Sequence, residues 1–224
     1  TLSAPDVPAR LAPGFEGAET FSSVSEEYLA LREGAALVDR SARLRVLIAG
    51  TQAAESLTGL VTSDVLALKP GTGQYAAALS AKGKIIADVR VFARADDWLV
   101  DSPRAAADGF TAMLRKFVNP RLATVTDASA NLRTIGVFGP RALSVLAGAL
   151  AIDVSALGAL APYHPLTLDV GGARAQIAAV PDLGVAGFDC FVPIEVAAVL
   201  WARTILAGAV PAGSTACEIA RVEA

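Results

Sequence analysis

The sequence predicts an α+β fold with mostly antiparallel sheets and flanking helices. Three observations indicate it. Runs of alternating apolar residues are typical of strands. A Lys82-Gly83 turn between two such runs is typical of a hairpin, and a hairpin joins antiparallel strands. Longer segments in which apolar residues recur at helical spacing lie between the predicted strands. Hydrophobic residues make up 54% and charged residues 18% of the 224 residues, a composition that folds around a large core.

The amino-terminal part begins with an irregular segment and continues with a capped helix. Residues 1–22 contain three prolines and little periodicity, which predicts an irregular lead-in. Ser23 and Glu26 have the spacing of a capping box, and Gly34 can adopt the left-handed conformation that often ends a helix. These signals predict a helix over 24–33.

Period-two alternation predicts the strands of the first half. In 43–49, Leu44, Val46 and Ile48 alternate with Arg43 and Arg45, as expected for a half-buried strand. A short helix capped by Thr51 is expected to end near residue 59. Apolar residues at helical spacing predict a helix over 103–118, which Pro120 ends. The other strands of this half are predicted at 74–80, 85–94, 98–101 and 122–126.

The second half repeats this pattern of strands and helices. Pro140 suits the first turn of a helix, and further helices are predicted at 194–206 and from about 218 onward. The apolar run 142–161 has Asp153 as its only charge, and we interpret it as a buried, broken helix rather than a membrane span. Strands are predicted at 134–138, 166–170, 173–180 and 188–192.

Two subdomains are expected, and several classes of function are excluded. A weak boundary near residue 128 divides the chain into 1–128 and an interleaved 129–224.

The formal charge of −3 argues against broad nucleic-acid binding. Two cysteines and one histidine are too few for a usual structural metal site, so no metal is expected. Residues 1–10 lack the order of a secretory signal, which indicates the cytoplasm.

Asp88 is the most unusual candidate residue. Alternation in the strand places it on the same side as Ile86, Arg90 and Phe92, and aspartate disfavours the middle of a strand. In one interpretation this is a solvated face on which Arg90 neutralises the carboxylate. In the other, the carboxylate is kept for a cationic or amine-bearing ligand.

The remaining reactive residue types give no catalytic motif. Gly71-Thr-Gly73 precedes a strand instead of a helix and so does not form a dinucleotide loop. His164 has no nucleophile near it in the sequence, and we assign it a structural or surface role. Cys190 lies in an apolar strand and is interpreted as a small core residue.

An ordered set of motifs resembles the glycine cleavage T-protein family of aminomethyltransferases and its YgfZ-type folate-binding relatives. The likeness runs from about Tyr28 to the last residue. In the first half it is carried by Leu60-Val-Thr-Ser-Asp-Val65, Lys69-Pro-Gly71, Gln74-Tyr75, Lys82-Gly83 and Ile85-Ile-Ala-Asp-Val89. In the second half it is carried by Phe138-Gly-Pro-Arg-Ala-Leu143, Gly187-Phe-Asp189, Val192-Pro193 and Arg221-Val-Glu-Ala224.

The resemblance implies a tetrahydrofolate-binding fold and roles for three residues. Asp88 matches the catalytic aspartate beside the transferring carbon group, where it also contributes to folate binding. Asp189 matches a glutamate that accepts hydrogen bonds from the pterin. Tyr75 either lines the pterin pocket or packs in the core. The resemblance also implies that the sequence corresponds to the first two of the family's three domains, and we expect it to lack the final β-barrel.

The sequence departs from the family at three places. Val185 replaces an acid, Cys217 replaces an arginine that helps to hold the folate tail, and the segment 38–41 differs from the family's Val-Ser-His-Met. The resemblance implies transfer of an aminomethyl or methyl group to tetrahydrofolate, with a lipoylated carrier protein as partner. The alternative is a non-catalytic YgfZ-type folate-binding protein that supports iron–sulfur enzymes.

Overall fold

A computed structural model describes residues 18–224. The elements of its first half are α1 (Val24–Glu33), β1 (Ala36–Asp39), β2 (Leu44–Ala49), α2 (Ala53–Thr58), β3 (Gly73–Leu79), β4 (Ile85–Ala93), β5 (Trp98–Ser102), α3 (Ala107–Phe117) and β6 (Thr124–Asp127). Those of its second half are β7 (Leu132–Phe138), α4 (Ala142–Leu150), α5 (Val154–Gly158), β8 (Pro165–Val170), β9 (Ala173–Ala179), β10 (Gly187–Pro193), α6 (Ile194–Leu206), β11 (Val210–Pro211) and α7 (Ser214–Glu223).

The described chain divides into two compact units. The first unit contains residues 18–41, 131–161 and 166–224, and the second contains 42–130 and 162–165. The chain passes from the second unit back to the first between residues 130 and 131. Residues 18–41 group with the carboxyl-terminal half because β1 pairs with β7 and β11. Residues 1–17 of the expected lead-in lie outside the described residues.

The first unit is a six-stranded sheet with helices against one face. Its strand order is β11-β1-β7-β10-β9-β8, with antiparallel pairing from β1 to β9 and a parallel pair between β1 and β11. Alternate residues of β7, β9 and β10 join α4 and α6 in one apolar cluster, which includes Trp201. The intervening residues, Asp189 among them, occupy the other face of the sheet.

The second unit is a five-stranded antiparallel sheet in the order β3-β4-β5-β2-β6. Val89 and Val91 of β4 pack with Phe110 and Leu114 of α3 in its core. The opposite face of the sheet carries polar residues. One register row crosses four strands on this face and consists of Tyr75, Arg90, Asp101 and Arg45.

Several local predictions are confirmed. Both bonds of the capping box between Ser23 and Glu26 are present, and α1 ends at Glu33 with Gly34 as its C-cap. Gly34 has a φ of −122°, so the left-handed conformation expected for it is wrong. The apolar run 142–161 is two helices, and the Asp153 side chain caps the second by accepting a hydrogen bond from the Ser155 backbone N–H at 2.7 Å. Within 18–224, no helix has the length and apolarity needed to cross a membrane.

Other elements differ from the predictions. Thr51 does not cap α2, which begins after Gln52 with no side-chain cap. Helix α7 begins at Ser214, four residues before the expected position. The strands β1 and β11, of four and two residues, were not predicted. Strands this short show too few alternating positions to be recognised, and they form here because neighbouring strands complete their hydrogen bonds.

Candidate functional site

Asp88 lies on the polar face of the second unit's sheet. It is half-buried in the middle of β4, opposite Ala77 of β3. Among the described residues no hydrogen bond or ion pair involves its carboxylate. A carboxylate in mid-strand has poor β propensity, and nothing here offsets that disadvantage within the fold. The side chain is therefore available to a ligand.

Arg90 does not neutralise Asp88, so the interpretation of a self-neutralised solvated face is wrong. The Arg90 guanidinium is buried and binds the Asp101 carboxylate of the neighbouring strand, its Nε donating at 2.8 Å. The Nε of Arg43 donates to the same Asp101 oxygen at 2.6 Å. Asp101 is the direct register partner of Arg90, so the geometry of the sheet decides this pairing.

Tyr75 lies close to Asp88 and is not part of the core. It is the register partner of Arg90, which makes Asp88 its diagonal neighbour on the same face. Its side chain is 50% exposed, so the core-packing alternative for this residue is wrong. The Tyr75 ring lies 6.1 Å from the ring of Tyr163, with an interplanar angle of 33°. The two rings and the carboxylate belong to the same unit.

Asp189 belongs to the first unit, in β10, and is fully buried. Its Oδ2 lies 3.4 Å from Nη1 of Arg40. The same guanidinium donates to Oδ2 of Asp182 at 2.6 Å and lies over the Phe138 ring at 5.3 Å. Asp189 therefore has a cationic partner within the protein, which the sequence reasoning did not anticipate.

A cavity of about 250 Å³ lies in the first unit beside this ion pair. Arg40 lines it and Asp189 does not. Helix α7 forms one wall, and Ala18 and Phe21 belong to another part of the lining. The side chains that bring polarity to the cavity are Asp39, Arg40, Ser214, Cys217, Glu218 and Arg221.

The cysteines are unsuited to nucleophilic chemistry. Cys217 lines the cavity, and burial raises the pKa of its thiol to about 11, against a smaller opposing effect of Arg40. Cys190 is fully buried in the apolar cluster, as predicted, and burial raises the pKa of its thiol as well. Both side chains are therefore neutral thiols near pH 7.

The structure also places His164 and Val185, two other residues that the sequence analysis considered. The His164 ring donates from Nδ1 to the carbonyl oxygen of Pro162 at 3.1 Å, a contact within its own loop. Val185 is half-buried in the loop before β10. In the part of the chain that the structure describes, no three residues of the types His, Cys, Asp and Glu are grouped to hold a metal ion.

The sequence reasoning missed the contacts of two charged residues in the first unit. Arg40 was noted only as part of a segment that departs from the family, although a cation in that segment could have indicated a partner for Asp189. Glu27 is completely buried and accepts hydrogen bonds from the backbone N–H groups of Phe21, Ser22 and Gly213. Its position in the first turn of α1 looks like an ordinary surface position in the sequence.

Gly136 makes room for the Arg40 ion pair, and its replacement gives a test. A Cβ at Gly136 would lie 2.4 Å from the Phe138 ring and 3.0 Å from Cδ of Arg40. We expect Gly136→Ala to lower the free energy of unfolding by about 1–3 kcal/mol, because ring and guanidinium must both move. Urea denaturation measures this change.

The matched control for this prediction is Gly148→Ala in α4. There the nearest atom to a new Cβ is 3.9 Å away, and alanine favours a helix. This variant should be more stable than the parent by about 0.5–1 kcal/mol. A Gly136→Ala protein as stable as the parent would contradict the proposed packing of Phe138 and Arg40.

Solved structures with the same fold define the class of protein. The crystal structure of glycine cleavage system aminomethyltransferase T from Bartonella henselae matches with a TM-score of 0.79 and 22% identity, over 93% of this chain and 59% of that chain. A heterotetrameric sarcosine oxidase from Corynebacterium sp. U-96 matches with a TM-score of 0.53 and 16% identity, over 84% of this chain and 94% of that chain. The chain is thus an α+β protein with the aminomethyltransferase fold.

The comparison of sequences identifies the family, whereas the solved structures show only the fold. The model of the GCVT N-terminal domain matches residues 8–224, and the chain belongs to this family. The aminomethyltransferase of Rubrobacter xylanophilus is 31% identical over 94% of this chain and 56% of its own length. That of Bacillus subtilis is 28% identical over 94% of this chain and 59% of its own length. The chain therefore spans a little over half the length of these relatives.

Proposed function

We propose that this chain binds a reduced folate and belongs to a tetrahydrofolate-dependent one-carbon transferase, in the sense of an aminomethyltransferase. Membership of the GCVT N-terminal domain family and the names of the relatives support the proposal. The observation that carries it is Asp88. This carboxylate is half-buried in mid-strand, and no described group is paired with it.

Asp88 has the chemistry that such a transfer requires. Tetrahydrofolate, when bound, supplies the nitrogen that accepts the carbon group. Positive charge builds on the aminomethyl group as it is transferred, and a fixed carboxylate in partly desolvated surroundings stabilises that charge. A half-buried carboxylate can also accept a proton from a nearby amine. An amide or a cationic side chain at this position could not do either.

Asp189 is proposed as a pterin-binding residue on the resemblance alone. Its carboxylate can accept two hydrogen bonds, as the amino and ring N–H groups of a pterin require. In this chain Arg40 is already its partner at 3.4 Å, so a pterin would share the carboxylate with a guanidinium. Tyr75, half-exposed beside Asp88, is proposed as a further folate-binding residue.

The donor and the partner protein follow from the family and not from any contact described above. We propose a lipoylated carrier protein as the aminomethyl donor, and a cytoplasmic location. The comparisons do not favour the alternative of a non-catalytic protein that supports iron–sulfur enzymes. The relatives from Rubrobacter xylanophilus and Bacillus subtilis are both named aminomethyltransferase, a name that denotes a transfer reaction.

A titration and a turnover assay test the proposal. We expect tetrahydrofolate to bind the chain with saturable heat in a calorimetric titration, and oxidised folate to bind more weakly. With an aminomethyl-loaded lipoylated carrier, the chain should form methylene-tetrahydrofolate as the carbon–sulfur bond breaks, with release of ammonia and of the free lipoyl thiol. The absence of heat at millimolar tetrahydrofolate would contradict folate binding, and binding without product would contradict the transferase.

A further inference from the structure

Tyr163 adopts a backbone conformation that tyrosine rarely takes. Its φ is +63°, and only one other non-glycine residue in 18–224 has a positive φ, namely Ala151 at the end of α4. Most residues with a Cβ are strained in this region, whereas glycine adopts it freely and asparagine more readily than other residues. Strain of this kind persists where the surrounding structure imposes it, and such residues are frequent in ligand sites.

The backbone of Tyr163 is held against the first residue of β3. A Cβ at Gly73 would lie 2.3 Å from the carbonyl oxygen of Tyr163 and 2.8 Å from that of Val91, so only glycine permits this approach. The segment 162–165 belongs to the second unit, although the chain on both sides of it belongs to the first. The backbone of Tyr163 is therefore positioned by β3.

This position brings the Tyr163 ring to the polar face that carries Asp88. The ring packs on Tyr75 with a centroid distance of 6.1 Å, and Tyr75 is the diagonal neighbour of Asp88. Neither tyrosine is in the core, since Tyr75 is half-exposed and Tyr163 is partly exposed. The faces of aromatic rings attract flat rings and cations, and the carboxylate attracts amine nitrogen.

We propose that Tyr163 is a further ligand-binding residue, which forms with Tyr75 an aromatic wall beside Asp88. The wall binds a flat, amine-bearing heterocycle whose ring packs against the tyrosines and whose nitrogen faces the carboxylate. This inference rests on the proposed function, in which that heterocycle is the pterin of a reduced folate. The strained backbone is then explained, because a relaxed conformation would turn the ring away from Tyr75.

Replacement of Tyr163 separates ligand binding from a structural role. In Tyr163→Asn the side chain tolerates positive φ but the ring is lost. We expect a Tm equal to or above that of the parent chain, and a dissociation constant for tetrahydrofolate raised about 5- to 10-fold in calorimetry. Tyr163→Phe keeps the ring, and its dissociation constant should stay within about twofold of the parent value.

Ala151→Asn is the matched control, because it makes the same change in strain away from this face. Its Tm should rise and its affinity for tetrahydrofolate should not change. If the parent chain binds and Tyr163→Asn binds equally well, the inference on Tyr163 fails alone. A Tm of Tyr163→Asn several degrees below the parent would also overturn it, since the ring would then support the fold. If the parent chain does not bind tetrahydrofolate, the proposed function fails and this inference fails with it.

Discussion

Asp88→Asn is expected to lower the turnover of the transfer reaction by about 10²- to 10⁴-fold, which corresponds to roughly 3–5 kcal/mol of activation free energy. Asparagine has the same shape as aspartate but lacks the charge that stabilises a positively charged transferring group. Since no described residue is paired with the carboxylate, its loss breaks no contact within the protein. The measurement is kcat for methylene-tetrahydrofolate formation.

The variant should fold as the parent does, and this separates a catalytic effect from a structural one. We expect its free energy of unfolding to differ by no more than about 0.5 kcal/mol. Asp108→Asn, at an exposed position of α3 in the same unit, is the matched control and should leave turnover unchanged. Full turnover by Asp88→Asn would remove the main support for the proposed transferase.

Glu27→Gln is expected to lower the free energy of unfolding by about 2–4 kcal/mol. One carboxylate oxygen accepts from the N–H groups of Phe21 and Ser22, the latter at 2.8 Å, and the other accepts from Gly213 at 2.8 Å. A glutamine would place an NH₂ group against at least one of these donors. Two chain segments, before α1 and before α7, would lose their common anchor.

The control for this prediction is the neighbouring Glu26→Gln. Glu26 is exposed, and glutamine can replace glutamate in a capping box. Glu26→Gln should therefore lower the free energy of unfolding by less than about 1 kcal/mol. Both variants are compared by urea denaturation at neutral pH. An equal decrease in the free energy of unfolding for the two variants would contradict the prediction, because the buried Glu27 carboxylate would then stabilise the fold no more than the exposed Glu26 of the capping box.

Local sequence signals predicted much of the fold correctly. The capping box at Ser23 and Glu26 and the break at Asp153 depend on hydrogen bonds between residues two or three positions apart, which a sequence displays directly. The strand that carries Asp88 was predicted from its alternation, which also defined the face of the carboxylate. The family was predicted from the order of its motifs, and the GCVT N-terminal domain match confirms it.

The sequence by itself therefore determined the α+β class, most of the elements and the family, together with the side of β4 on which Asp88 lies. Only the tertiary structure decided the partners: Asp101 for Arg90, Arg40 for Asp189, and three backbone N–H groups for Glu27. It also decided the strands β1 and β11 and the strained backbone of Tyr163. The physical reason is that caps and alternation act between neighbouring residues. Ion pairs and short strands instead join positions that are far apart in the chain and close only after folding.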